Sequence, residues 1–209
     1  VPFYRRIVGR DYFSEDLDLV IWDDAQPLDQ DRLRNELESD GISTRLNSFG
    51  TLRVQYGPTL VDLTPLSLEG KKVIQPSGFG KNLQGLVSSC ELNVGAIAFE
   101  YPWGPVHSSG AIESLEGRFV DVNNPINTPL GQILVRGMHK CLRLGFYFGP
   151  KLFELNQQIF SDPEHQEVMR NYLEYKEWNP QLLELLRILA TSSEEELTKR
   201  VERLERHAT

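Results

Sequence analysis

Apolar and polar residues alternate along the first part of the chain and fall at helical spacing along the last part. RRIVG, DLDLVI, ISTRL, TLRVQYG and TLVDLTPL are short runs rich in β-formers, and the last two meet at Gly57-Pro58, the chemistry of a hairpin turn. Between them a helix is predicted from Asp29 to about Asp40, closed by Gly41. From Thr128 onward the period changes. Thr128-Pro129, Asp162-Pro163 and Asn179-Pro180 each set a capping residue before a proline at the first helical position. Ser192 and Ser193, followed by Glu195 and Glu196, open a further helix with capping-box spacing and an apolar seam of Leu197, Val201 and Leu204. The pattern predicts an α+β unit over residues 1–125 and a helical unit over 126–209, without internal repeats. The stretch QPSGFGKNLQG, residues 75–85, reads as a mobile loop.

Bulk properties narrow the classes. A chain of 209 residues with 40% hydrophobic and 25% charged residues can bury a core of its own. No apolar run approaches a membrane span and no secretory leader pattern opens the chain, so a cytoplasmic protein without a membrane partner is expected. It begins at Val1 rather than methionine, which points to an upstream piece removed or left out. Cys90 and Cys141 form no disulfide framework, and His107, His139, His165 and His207 are scattered without zinc spacing. The net charge of −8 argues against an extensive nucleic-acid surface, which calls for a basic face.

The candidate chemistry lies in the strand-like runs. In DLDLVI, Asp16 and Asp18 fall on one face of a strand that otherwise reads as buried, with Leu17, Leu19 and Ile21 on the other. Two carboxylates roughly 6.6 Å apart along a strand can share divalent cations, and unpaired they repel. A D-x-D on a solvated strand face is common and often means nothing. Asp62 in TLVDLTPL repeats the grammar, an acid in a β-branched run, and a third carboxylate on an adjacent strand makes a cluster able to hold two Mg²⁺ (or Mn²⁺) roughly 3.5–4 Å apart.

IVGRDYFSEDLDLVI followed by FGTLRVQYGPTLVDLTPL resembles the palm of the polymerase-β-type nucleotidyltransferases, closest to the head domain of tRNA CCA-adding enzymes and bacterial poly(A) polymerases. YFSEDLDLVI is also similar to the abortive-infection nucleotidyltransferase toxins. The resemblance extends weakly through SCELNVGAIAFEY to LVRGMHKCLRLGFYF, which is similar to the family's neck helix. It implies a mixed sheet with flanking helices, and transfer of a nucleoside monophosphate from an NTP to an RNA 3′ end, a small molecule or a protein. It further implies metal binding by Asp16, Asp18 and Asp62, phosphate binding at Gly9 and Arg10, and family arginines at Arg136 and Arg143. A bacterial defence or toxin setting rests on the likeness alone. There are departures. Gly9 is followed by Arg10 instead of a second glycine or serine, Ser89 and Cys90 stand where two arginines precede the family's acid, here Glu91, and Leu130 and Ile133 replace an acid and an arginine opening the neck. Those family residues select the base, so the resemblance leaves the base open and argues against CCA addition. An alternative follows: a catalytically lapsed protein that senses nucleotides or serves as an interaction module.

Arg136, Lys140 and Arg143 fall at i, i+4 and i+7 on the helix after Pro129, with Leu130, Ile133, Leu134, Met138 and Cys141 largely on another face. This row suits the non-bridging oxygens of a triphosphate; the bland reading, a solvated amphipathic face, is equally good. PSGFGKN lacks phosphate-loop spacing. Trp103 and Trp178 read as core or interface, and His139 as a partly exposed helix residue.

Overall fold

A computed structural model describes residues 16–22, 28–47, 50–57, 59–176, 183–184 and 186–188. Its first strand, β1 (Asp16–Ile21), precedes α1 (Gln30–Ser39), and then β2 (Thr44–Leu46), β3 (Leu52–Tyr56) and β4 (Thr59–Pro65) follow. The carboxylate of Asp29 accepts from the Arg32 N–H and starts α1, and Gly41, at φ 76°, ends it in a conformation costly for residues with a Cβ. The four strands form one mixed sheet in the order β1-β4-β3-β2. β3 and β4 are the expected antiparallel hairpin, Tyr56 opposite Thr59, and β1 runs parallel to β4. Leu52 and Val54 are buried on one side of β3. Removing such side chains from water contributes about 1.5–3 kcal/mol each.

The expectation that β1 is a buried strand is corrected. Its apolar residues share register with Val61 and Leu63, yet Leu17 and Leu19 remain 48% and 42% exposed. β1 stands at the end of the strand order, so among the described residues only one neighbour, β4, covers it in the plane of the sheet.

After β4 come α2 (Leu66–Glu69), a wider π-type turn (Gly70–Ile74) and α3 (Leu83–Ser89). The segment 75–85 is therefore only partly loop. Asn82 accepts from the Gly85 N–H and caps α3, a side-chain cap that the glycine-rich composition obscured. A hairpin of β5 (Ile97–Phe99) and β6 (Val106–Ser108) and the helix α4 (Ala111–Gly117) follow. Trp103, between the two strands, is 94% exposed and so not a core residue; Trp178 lies outside the described residues.

The chain divides into two compact units. One reaches to Cys90 and resumes over Ala96–Glu116; the other takes Glu91–Gly95 and the described residues from Gly117 onward. The second unit holds the short parallel pair β7 (Phe119–Val120) and β8 (Tyr147–Phe148), with α5 (Leu130–Leu144), α6 (Pro150–Ser161) and α7 (Pro163–Tyr175). Ile133, Leu134, Leu152, Ile159 and Met169 are fully buried at its centre. Asp162 accepts from the Glu164 N–H ahead of Pro163, as its sequence predicts. Thr128 does not cap α5: the helix starts at Leu130, and the Thr128 hydroxyl donates instead to Glu91 Oε2 at 2.8 Å. The helix α6 carries no capping side chain of its own. Asp121, at the end of β7, accepts from the Leu152 N–H at 2.7 Å and supplies the cap from a distance in sequence. Gly149 leaves room for it, since a Cβ there would come within 2.5 Å of Asp121. The helices predicted after Asn179 and Ser192 begin outside the described residues.

Candidate functional site

The parallel register of β1 on β4 places Asp18 opposite Asp62 and the backbone of Asp16 opposite Leu60. Residues paired across neighbouring strands share a face, so Asp18 and Asp62 lie side by side on the same side of the sheet. The description of Asp16 stops at its backbone, and Gly9 and Arg10 lie outside the described residues. Among the described residues no group of three or more His, Cys, Asp or Glu side chains is gathered as a metal cage. The acids that are described form a pair of hard oxygen donors, the type Mg²⁺ prefers.

The same face carries two cations that sequence reasoning missed. Arg53 on β3 is in register with Asp62, and Arg45 on β2 is in register with Arg53. A single row therefore crosses the four strands as Asp18, Asp62, Arg53, Arg45. Arg53 grips Asp62 with two parallel hydrogen bonds, Nε to Oδ1 at 2.7 Å and Nη2 to Oδ2 at 2.5 Å. The Asp62 side chain is 13% exposed, so the pair is only partly screened by water. The bonds from Arg53 hold the Asp62 carboxyl below the usual carboxylate range; burial opposes this, and the charges of Arg53 and Arg45 assist it. Asp62 is thus ionised at neutral pH with its charge locally balanced. The signal for Arg53 was present in the chain: a turn at Gly57-Pro58 that pairs Tyr56 with Thr59 also pairs residue 53 with residue 62.

The basic residues lie on α5 in the second unit. Arg136 is half-buried; its Nη1 donates to Glu91 Oε1 at 2.7 Å and its Nε to the Tyr172 hydroxyl at 2.9 Å, with the guanidinium 5.6 Å from the centre of the Tyr172 ring. Burial is the largest influence on its ionisation and lowers it, but the hydrogen bonds to Glu91 and Tyr172 more than offset this and keep it charged. Lys140 is half-buried and Arg143 exposed. Both press the neighbouring His139 toward the neutral form, an effect added to the larger one of burial. Glu91 also takes the Thr128 hydroxyl, so one carboxylate ties the segment before α5 to the helix and, through Arg136, to α7. A cavity of about 410 Å³ opens in this unit beside Asn127, Thr128, Leu130, His165 and Val168; none of the predicted site residues lines it.

Neither a protein-family profile nor any curated protein matches the chain by sequence. Solved structures do match. One is titled a tRNA-processing enzyme in its apo form I, at 15% identity and a TM-score of 0.61, covering 98% of this chain and 56% of that one. A CCA-adding enzyme in complex with ATP matches at 14% identity and TM-score 0.60, covering 89% of this chain and 44% of that one. A tRNA nucleotidyltransferase complexed with a primer tRNA and an incoming ATP analogue matches at 16% identity and TM-score 0.53, covering 98% and 56%. The chain has a polymerase-β-type nucleotidyltransferase-like fold and spans 44–56% of the length of these proteins. Its mixed sheet followed by a helical part is the α+β architecture expected.

Proposed function

We propose that the protein is a divalent-cation-dependent nucleotidyltransferase that moves a nucleoside monophosphate from an NTP to an acceptor hydroxyl. The observation that carries this reading is the register of β1 on β4, which sets Asp18 beside Asp62 within a nucleotidyltransferase-like fold. In this reading the acceptor oxygen attacks the α-phosphorus, its bond to the bridging oxygen breaks, and pyrophosphate leaves. Asp62 would bind the metal at the acceptor and so help deprotonate its hydroxyl. Asp16 and Asp18, with Asp62, would hold Mg²⁺, whose chemistry is to neutralise the phosphates and acidify the attacking hydroxyl. Gly9 and Arg10 are assigned to the β- and γ-phosphates, and Lys140 and Arg143 are proposed as nucleotide-binding cations, as is Arg136, whose charge Glu91 already offsets. An RNA 3′ end is the first acceptor to test, because a solved structure of like fold is a complex with a primer tRNA. A cytoplasmic setting and a defence or toxin role belong to the same proposal.

The test is transfer of α-labelled NTP to RNA, protein and small-molecule pools in a cell extract, with Mg²⁺ or Mn²⁺. The account expects a labelled product that disappears on chelation and in Asp18→Ala. No labelled product from any NTP, and no phenotype of Asp18→Ala in cells, would sink it and favour the lapsed, nucleotide-sensing alternative. The grip of Arg53 on Asp62 is the observation on that side.

A further inference from the structure

We infer that Arg53 is a positioning residue that occupies Asp62 as an internal counter-ion and weakens the hold of the acid face on a divalent cation until a nucleotide brings its own negative charge. This rests on the metal-binding role proposed for Asp18 and Asp62. Both oxygens of Asp62 are already engaged by the guanidinium fork, on the face that Asp62 shares with Asp18. A fork of this kind matches a carboxylate in plane and leaves it fewer directions from which a cation can approach. Arg45, in register on the far side of Arg53, adds a second positive charge to the same row. The carboxylate donors fit Mg²⁺ or Mn²⁺ in kind, but the row carries as many described cations as described acids. Cation loading before the nucleotide is therefore disfavoured by charge. A triphosphate arriving with its cation reverses that balance and gives the guanidinium an alternative anionic partner.

The experiment measures Mn²⁺ binding by the electron paramagnetic resonance of the free ion, without nucleotide, for the full chain and for Arg53→Gln, Arg53→Met, Arg53→Lys and Asp18→Asn. Removing one unit charge about 6 Å from a divalent cation is worth about tenfold in affinity even at the dielectric constant of water. Arg53→Gln and Arg53→Met are expected to bind Mn²⁺ at least about tenfold more tightly than the parent, and Arg53→Lys to stay close to it. Circular dichroism of the two neutral variants confirms that each is folded; two are made so that one suffices. Unchanged affinity in a folded neutral variant, with binding still abolished by Asp18→Asn, overturns the role of Arg53 and leaves the metal site standing. Failure of parent and neutral variants alike to bind Mn²⁺ in an Asp18-dependent manner overturns the metal reading itself, and this inference with it.

Discussion

Replacing Arg136 on α5 by methionine keeps an apolar stem and deletes the guanidinium. Three interactions go with it: the 2.7 Å bond to Glu91, the 2.9 Å bond to the Tyr172 hydroxyl, and the stacking 5.6 Å from that ring. A charge-assisted bond contributes about 1.5–3 kcal/mol when well desolvated, but Arg136 is 41% exposed, which brings that bond to about 1 kcal/mol. The hydroxyl and the ring contribute about 0.5–1 kcal/mol each. The expected loss is about 2–3 kcal/mol, or about 5–10 °C in Tm for a chain of this length. Glu91→Gln weakens the same bond from the other side, so the double variant should fall short of additivity by about 1 kcal/mol. Urea denaturation followed by intrinsic fluorescence, without nucleotide, measures all four corners of the cycle. Strict additivity, or a loss under about 0.5 kcal/mol in Arg136→Met, would refute the clamp and return Arg136 to the nucleotide as a free cation.

Gly131→Ala should destabilise although alanine is the better helix former, because the new Cβ would sit 2.9 Å from the Met169 nitrogen and 3.1 Å from the His165 carbonyl oxygen, backbone atoms of α7 that cannot step aside. Overpacking of about 1–3 kcal/mol against a propensity gain of about 1 leaves a net loss in the same urea assay, whereas Gly95→Ala, with nothing within 4 Å, should change little. Because the folded Asp62 carboxyl is held below its unfolded value by Arg53, its contribution to stability is complete above that unfolded value, about pH 4, and disappears as pH falls through the lowered one. Thermal melts from pH 6 down to pH 2 should therefore drop more steeply for the parent than for Asp62→Asn; parallel curves would contradict the pairing. The Cys141 thiol is pushed up to about 12 by burial, so in a brief iodoacetamide treatment at pH 8 peptide mass spectrometry should find it unmodified in the native protein and modified after unfolding.

Patterns local to a few residues were readable in the chain. The β3–β4 hairpin, the Asp29 cap of α1 and the Asp162-Pro163 start of α7 each follow from neighbouring residues. The failures come from partners distant in sequence. The helix α6 opens on Gly149-Pro150 with no cap of its own, because Asp121 reaches the Leu152 N–H from the end of β7. Thr128 looks like a cap but is claimed by Glu91, 37 residues away. Leu17 and Leu19 have the alternation of a half-buried strand, and alternation cannot say that among the described residues β1 has β4 as its one neighbour in the sheet. At the candidate site, the two acids were visible as a recurrent grammar. The cation beside Asp62 was legible only through the hairpin register, which has to be fixed before Arg53 can be read as its partner.

The central claim is that the face shared by Asp18 and Asp62 receives a divalent cation together with a nucleotide. Anomalous diffraction from crystals soaked with Mn²⁺ and a non-hydrolysable NTP analogue tests it most directly. The account predicts a manganese peak at coordination distance, about 2.1–2.3 Å, from carboxylate oxygens of Asp18 and Asp62, with triphosphate density beside it. Nucleotide density elsewhere, or a face still closed by the Arg53–Asp62 pair with no peak at saturating Mn²⁺, would contradict it.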